Sequence, residues 1–349
     1  MIANILKQFL NAKLLFVCLV GLVACSQPVK FGEDPAYSKL VWPEGGAGPR
    51  IKYVGHFSSP EEFGISKGFF QLVVDFFTGE ENQRLIRPMA LVAPSPDKVY
   101  VADPGARGVH YFNARENDYR LIQLAGKRPL PSPVGLAIGP NKQVYVTDSE
   151  LGGVYAITPD SDIAKPLPLQ YSLKQPTGIA YDKNRKRLYI VDTETHTLNI
   201  YNSYGKRLKR IGKRGNGKLE FNYPTMLSMD QQGHLLVTDS LNFRIQRLSR
   251  TGKYISQFGK IGGATGKMTR PKGVASDNLG HIYIVDSLFH ALQIFDKKGR
   301  LLLHLGQQGQ KPGEFWLPTG IYVGDNNTIY IADSHNQRIQ VFRYIGGGQ

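Results

Sequence analysis

Apolar residues in this chain fall into short runs rich in Val, Ile, Leu, Tyr and Phe, broken every few positions by clusters of Gly, Asp, Asn, Lys and Pro. Runs of that length between turn-forming residues predict β-strands, because β-branched and aromatic side chains fit a pleated surface and Gly, Pro and Asp end it. The runs also repeat. A proline opens one run at Pro88, Pro133, Pro176, Pro224, Pro271 and Pro318, at spacings of 45, 43, 48, 47 and 47 residues. An aspartate closes the following run at Asp103, Asp148, Asp192, Asp239, Asp286 and Asp333, 15 residues after the proline in every copy but the third, where the offset is 16.

Within a copy, PTGIYV from Pro318, IYIAD ending at Asp333 and RIQVF ending at Phe342 read as three strands; KYISQFG (Lys253 to Gly259) and RLLLHLG (Arg300 to Gly306) supply a fourth in other copies. Four strands per repeat of this period is the pattern of a propeller blade. The sixth copy stops after three strands, and IKYVGHF (Ile51 to Phe57) has the pattern of the missing one. The expectation is therefore an all-β fold: a six-bladed β-propeller of four-stranded antiparallel blades (86–130, 131–174, 175–222, 223–269, 270–316 and 317–347), its ring closed by an N-terminal strand over 51–57.

Residues 58–85 interrupt the repeat. There Ile65, Phe69, Leu72, Val73, Phe76 and Phe77 follow helical spacing, widened by Phe70 and Val74, and Gly79 ends the run. This predicts one helical insert whose apolar face is buried against the propeller, a partner or the membrane interface. Residues 25–50 are rich in Pro and Gly without periodicity and read as a tether. Before them, Lys7 and Lys13 precede the apolar run LLFVCLVGLVA, Leu14 to Ala24. That run is too short to span a bilayer and has the flanks of a signal peptide covering 1–24.

Composition agrees with many short elements: 41% hydrophobic and 20% charged residues, with 38 Gly and 21 Pro, suit a folded β-rich chain and exclude a disordered one. Both cysteines, Cys18 and Cys25, lie in the leader region, so the folded part holds neither a disulfide framework nor a Cys-based zinc site. The formal net charge is +15, and most of the excess left after the leader is concentrated in one blade.

Two resemblances follow from these residues. DSLNFRIQRL (Asp239 to Leu248) and DSHNQRIQVF (Asp333 to Phe342), with PTG or PKG turns upstream, resemble NHL repeats; DPGARGVHYF (Asp103 to Phe112) and DSELGGVYAI (Asp148 to Ile157) are degenerate copies. Leu22, Val23, Ala24 and Cys25 resemble a bacterial lipobox, which implies lipidation of Cys25. Ser26, in place of Asp, then implies sorting to the outer membrane. Together the segments resemble bacterial propeller lipoproteins of the cell envelope. The NHL resemblance by itself fixes no function.

Features present in every copy are assigned to the scaffold, so function is sought where copies differ. The six aspartates are expected to accept backbone N–H bonds at their corners. On the face that carries these corners, His196 and His290 each stand four residues after a blade aspartate and His335 two after Asp333. Three imidazoles around a channel could hold a divalent metal, as in propeller lyases similar to NHL proteins; placement in ordinary polar corners explains them equally well. The residues after the landmark prolines, Met89, Val134, Thr177, Thr225, Lys272 and Thr319, should approach the axis, and the absence of carboxylates there counts against a lactonase-like site. Lys272, Arg244 and Arg338 are candidate contacts on this upper face, although the two arginines also belong to the repeat motif. The string GISKG (Gly64 to Gly68) lacks the strand and sheet of a nucleophile elbow, and GGATGKMT (Gly262 to Thr269) departs from a P-loop; neither is read as a site.

Blade 3 holds eleven Lys or Arg against four acids. Lys183, Arg185, Lys186 and Arg187 fall in its first turn, and Lys206, Arg207, Lys209, Arg210, Lys213 and Arg214 along its outer strand and the following connection. The cluster reads either as a charged outer edge that resists pairing or as a docking site for something anionic. Aromatic residues do not interleave it, and the leader directs the chain away from RNA, which argues against nucleic acid. The resulting expectation is a non-enzymatic, lipid-anchored scaffold that binds an envelope protein or anionic ligand and needs no cofactor. The alternative is a metal-dependent lyase or hydrolase at the top of the channel, using His196, His290 and His335.

Overall fold

The computed structural model describes residues 37, 39–43, 49–66, 83–324 and 326–347. They form six sheets arranged as the blades of a propeller. With strands lettered a to d from the axis outward, blade 1 comprises Ala90–Ser95, Lys98–Asp103, Gly108–Asn113 and Asp118–Ile122. Blades 3, 4 and 5 open with Pro176–Asp182, Pro224–Met229 and Pro271–Ser276 and end with Arg207–Ile211, Tyr254–Phe258 and Leu301–Leu305. Blade 6 is built from both ends of the propeller sequence: Ile321–Val323, Thr328–Asp333 and Arg338–Gly347 are followed in space by Pro49–Phe57. In that last pair Phe57 lies opposite Ile339 and Tyr53 opposite Phe342.

Burial explains the hydrophobic pattern. Strand b is buried along its whole length in blades 4, 5 and 6, since neighbouring blades cover both of its faces. Strand d meets solvent on one side, and Tyr254–Phe258 accordingly alternates between half-buried and exposed positions. At the axis, the glycine two residues after the landmark proline is required by contact: a Cβ on Gly135 would lie 2.0 Å from the Thr177 carbonyl oxygen, and one on Gly320 2.4 Å from that of Met89. The inner strands are therefore as close as backbones allow. Hydroxyls staple successive blades: Thr193, Ser240 and Ser287 each donate to the carbonyl of the next landmark proline, Pro224, Pro271 and Pro318, at 2.6, 2.8 and 2.5 Å.

Two expectations about boundaries are corrected. The segment read as a tether to residue 50 is partly structured, because Val41–Trp42 pairs with Lys52 and Ile51 as a fifth strand of blade 6. Tyr37, Leu40 and Trp42 pack on the blade 6 core there, which hides its outer edge. Residues 124–129, assigned to blade 1, form a hairpin (Leu124–Ala125 and Arg128–Pro129) that joins the outer strand of blade 2, Ile163–Pro166, in parallel. Of the insert, residues 58–66 and 83–85 are described as turns and coil: Phe63, Ile65 and Leu85 are buried with Phe57, Phe112 and Tyr330 between blades 1 and 6. The expected helix runs from Ile65 to Gly79, and all of it beyond Ser66, like the leader with Cys25, lies outside the described residues.

Candidate functional site

One face of the ring carries the b–c corners and the connections between blades. Its buried aspartates and the two motif arginines are committed to the scaffold. Asp239 is fully buried and accepts from the Asn222 backbone N–H at 2.6 Å and from the Arg244 Nε at 2.8 Å. Arg244 then donates through Nη1 and Nη2 to the carbonyls of Asn216, Gly217 and Glu220 at 2.7 to 3.0 Å. Asp333 and Arg338 repeat the arrangement around Trp316, Gln310, Lys311 and Glu314. The aspartates thus tie the segment leading into strand a as well as their own corner. Arg244 and Arg338 are 6% and 7% exposed, so they brace the preceding loop and do not serve as the upper-face contacts expected of them.

The histidines have a similar explanation. The fourth residue after each blade aspartate is Arg107, Gly152, His196, Phe243, His290 or Gln337, and all six have φ between 51° and 65°. Arg, Gly, His, Phe and Gln sharing one left-handed position mark a corner, not a ligand set. Nδ1 of His196 accepts from the Tyr223 N–H at 3.0 Å, and Nδ1 of His290 from the Leu317 N–H at 3.1 Å. Burial, and then the Arg214 guanidinium, hold His196 below its ordinary 6.5; burial does the same to His290. His335 is exposed, with its ring 5.6 Å from Trp316. Among the described residues no three His, Cys, Asp or Glu side chains converge as a metal site.

The axis offers little room. A channel of about 40 Å³ runs between Leu91, Leu136, Ile179, Leu227, Val274 and Ile321, one from each blade. That is comparable to one or two waters. Lys272 stands beside it, half-buried, and burial followed by the nearby Arg270 holds its ammonium below the usual 10.5.

The opposite face carries the a–b and c–d turns, and here a depression of about 790 Å³ opens. That volume falls in the range of small-molecule sites, roughly 300–1,000 Å³. Its walls come from blades 1, 2, 3, 4 and 6: Pro94 and Ile138, Tyr181 and Asp182, Met229 and Arg250, and Tyr322 and Tyr330. Lys142 and Lys183 also line it. Asp182 is 3% exposed; its Oδ1 accepts the Asn184 and Arg185 backbone N–H groups at 2.9 and 3.1 Å. Its Oδ2 has no hydrogen-bond partner and lies 3.6 Å from the Arg250 Nε, which also lacks one. Asp230, by contrast, is consumed by Arg247 and by His234 Nδ1, the latter at 3.0 Å.

The basic residues of blade 3 run from one face to the other. Lys183, Arg185, Lys186 and Arg187 sit at the turn face, where Arg187 pairs across from Asn202. Lys206 and Arg207 end at that face as well, Arg207 stacking on Tyr171 at 4.0 Å. Lys209 and Arg210 follow the outer edge, while Lys213 and Arg214 reach the corner face, where Lys213 pairs with Glu220 at 3.2 Å. Only Lys183 of the expected set lines the depression.

Sequence landmarks point to the corners and leave the depression unmarked. The a–b turns PSPD, PNK, DKNRK, DQQG, DNLG and DNN differ in length and charge between copies, and that variation is the available signal.

Fold and repeat together define a six-bladed β-propeller. Residues 315–342 match the NHL repeat model, and residues 165–293 match the model of the SdiA-regulated family. Among solved structures, a protein of unknown function from Bacteroides thetaiotaomicron is similar at a TM-score of 0.61 and 16% identity, over 76% of this chain and 71% of that one. An auxiliary nutrient binding protein from the same organism is similar at 0.59 and 13%, over 75% and 70%. Virginiamycin B lyase from Staphylococcus aureus, solved with quinupristin, is similar at 0.56 and 16%, over 76% and 97%. At these identities the likeness is one of fold.

Proposed function

We propose that this propeller is a non-enzymatic binding scaffold of the bacterial cell envelope, anchored through a lipid on Cys25, and that it takes its ligand in the depression on the turn face. The observation that carries this reading is the contrast in polar groups: at the corners Asp239, Asp333, Arg244, Arg338, His196 and His290 are spent on hydrogen bonds within the scaffold, whereas the depression combines tyrosine and aliphatic walls with two exposed lysines and an Asp182–Arg250 pair that makes no hydrogen bond between its partners. A pocket with an apolar lining and a few convergent polar groups is the usual form of a ligand site. The leader supports the envelope assignment, and the nutrient-binding relative of the same fold is compatible with it.

The test uses the full-length chain in detergent and a thermal-shift screen of sugars, amino acids, peptides and organic acids. The parent is expected to gain stability with at least one class, as mass action requires. A variant with two exposed rim residues enlarged, Asn184→Trp with Gln231→Trp, should not. The bound compound should be recovered unchanged after prolonged incubation. No shift with any compound, equal shifts in both proteins, or chemical conversion of the ligand would overturn the reading.

A further inference from the structure

Resting on that reading, we propose that the depression selects an amphiphilic anion, with a carboxylate or phosphate head on the Arg250 guanidinium and an apolar body against Tyr181, Ile138 and Met229. Arg250 lies in the c–d turn of blade 4, and its guanidinium covers the α-carbon of Gly233: a Cβ there would fall 1.7 Å from Nε and 2.2 Å from Cζ. Gly233 has φ +78°, so glycine both permits this turn and leaves the guanidinium its seat. Asp182 holds the Nε side at 3.6 Å, and among the described residues no acceptor meets either Nη. A planar cation fixed on one edge with its outer nitrogens unpaired is arranged for a two-oxygen anion.

The surrounding charge has the same sign. Lys142 and Lys183 line the depression, and among the described residues neither has an ion-pair partner. Of the acids, Asp182 is spent on two backbone N–H groups and on Arg250, and Asp230 on Arg247 and His234. A cationic ligand would meet Arg250 and two lysines without a free carboxylate to balance them. A small hydrophilic anion would leave the aromatic and aliphatic wall wetted, so affinity calls for a body that covers it.

Four probes separate the parts: hydrocinnamate, phenyl phosphate, hydrocinnamamide and acetate, each titrated calorimetrically into the full-length chain. At least one of the two aryl anions should bind, and the one that binds more tightly names the head group. Hydrocinnamamide, which keeps the body and loses the charge, and acetate, which keeps the charge and loses the body, should each bind at least tenfold more weakly. Arg250→Met should weaken the better anion at least tenfold, and Lys142→Gln with Lys183→Gln about threefold with reduced salt dependence. Equal binding of the amide, or anion binding unaffected by Arg250→Met in a variant shown to be folded, would overturn the proposal. If neither anion binds while another compound stabilises the parent and not the rim-enlarged variant, the anion assignment fails and the ligand site stands. If nothing binds, the site itself fails.

Discussion

The two faces of this ring are made by the same six repeats and differ in how they use polar atoms. At the corners, Asp239 and Asp333 lie at the centre of closed networks in which Arg244 and Arg338 reach three carbonyls apiece in the preceding loop. At the turns, Asp182 Oδ2 and Arg250 Nε make no hydrogen bond and meet only as a 3.6 Å ion pair. The corner aspartates tie down the connection that enters each blade, so every copy carries one. The turns connect strands within a blade and can vary without opening the ring. Repetition therefore marks the face that holds the fold together, and divergence marks the face available for recognition.

The comparison is broken most severely by removing a corner aspartate. Asp239→Ala or Asp333→Ala strands a buried guanidinium and several N–H groups, and should cost about 3–5 kcal/mol in denaturant unfolding. A loss under about 1 kcal/mol would show that the corner network is not structural.

Next come the two imidazole caps. Replacing His196 and His290 together by Asn keeps a residue tolerant of positive φ but loses the ring acceptors, at about 1 kcal/mol per cap near neutral pH. Burial holds both imidazoles below 6.5, so the unfolded chain takes up their protons first as pH falls. Their stabilisation is thus complete above 6.5 and is lost as pH drops through the lower folded value. The decline of Tm from pH 7 towards pH 5 should be shallower in the double variant. An equal or steeper decline would contradict the capping role. His56 and His304 are also held low by burial, so some decline should persist.

On the turn face the effects should shrink. Arg250→Met removes one 3.6 Å ion pair and should change stability by about 1 kcal/mol. Lys142→Gln and Lys183→Gln, both exposed, should stay within about 0.5 kcal/mol by urea titration. A destabilisation above about 2 kcal/mol from either lysine would erase the distinction between the faces.

Much of the architecture could be read in advance because a propeller repeats its needs. The proline and aspartate landmarks mark where a strand meets the axis and where a corner must satisfy its backbone. Each copy states both again. The histidines were ambiguous, since four residues beyond Asp192 or Asp286 is a position shared with Arg107, Gly152, Phe243 and Gln337, and only backbone φ reveals it as a corner. The arginines were half legible: their motif was visible, but not that loop carbonyls 24 to 28 residues upstream would use their guanidinium donors.

The sequence by itself determined the blade count, the all-β class and the need for a strand from the front of the chain, because these follow from period and local strand chemistry. Only the tertiary structure decided that Ile138, Tyr181, Arg250 and Tyr322 would share one wall. They come from four blades; Ile138 and Tyr181 stand five residues after their landmark prolines and Tyr322 four, while Arg250 is supplied by a c–d turn that no landmark marks. Closure of the ring alone brings their turns together, since inner strands packed to backbone contact draw the strand ends around one axis.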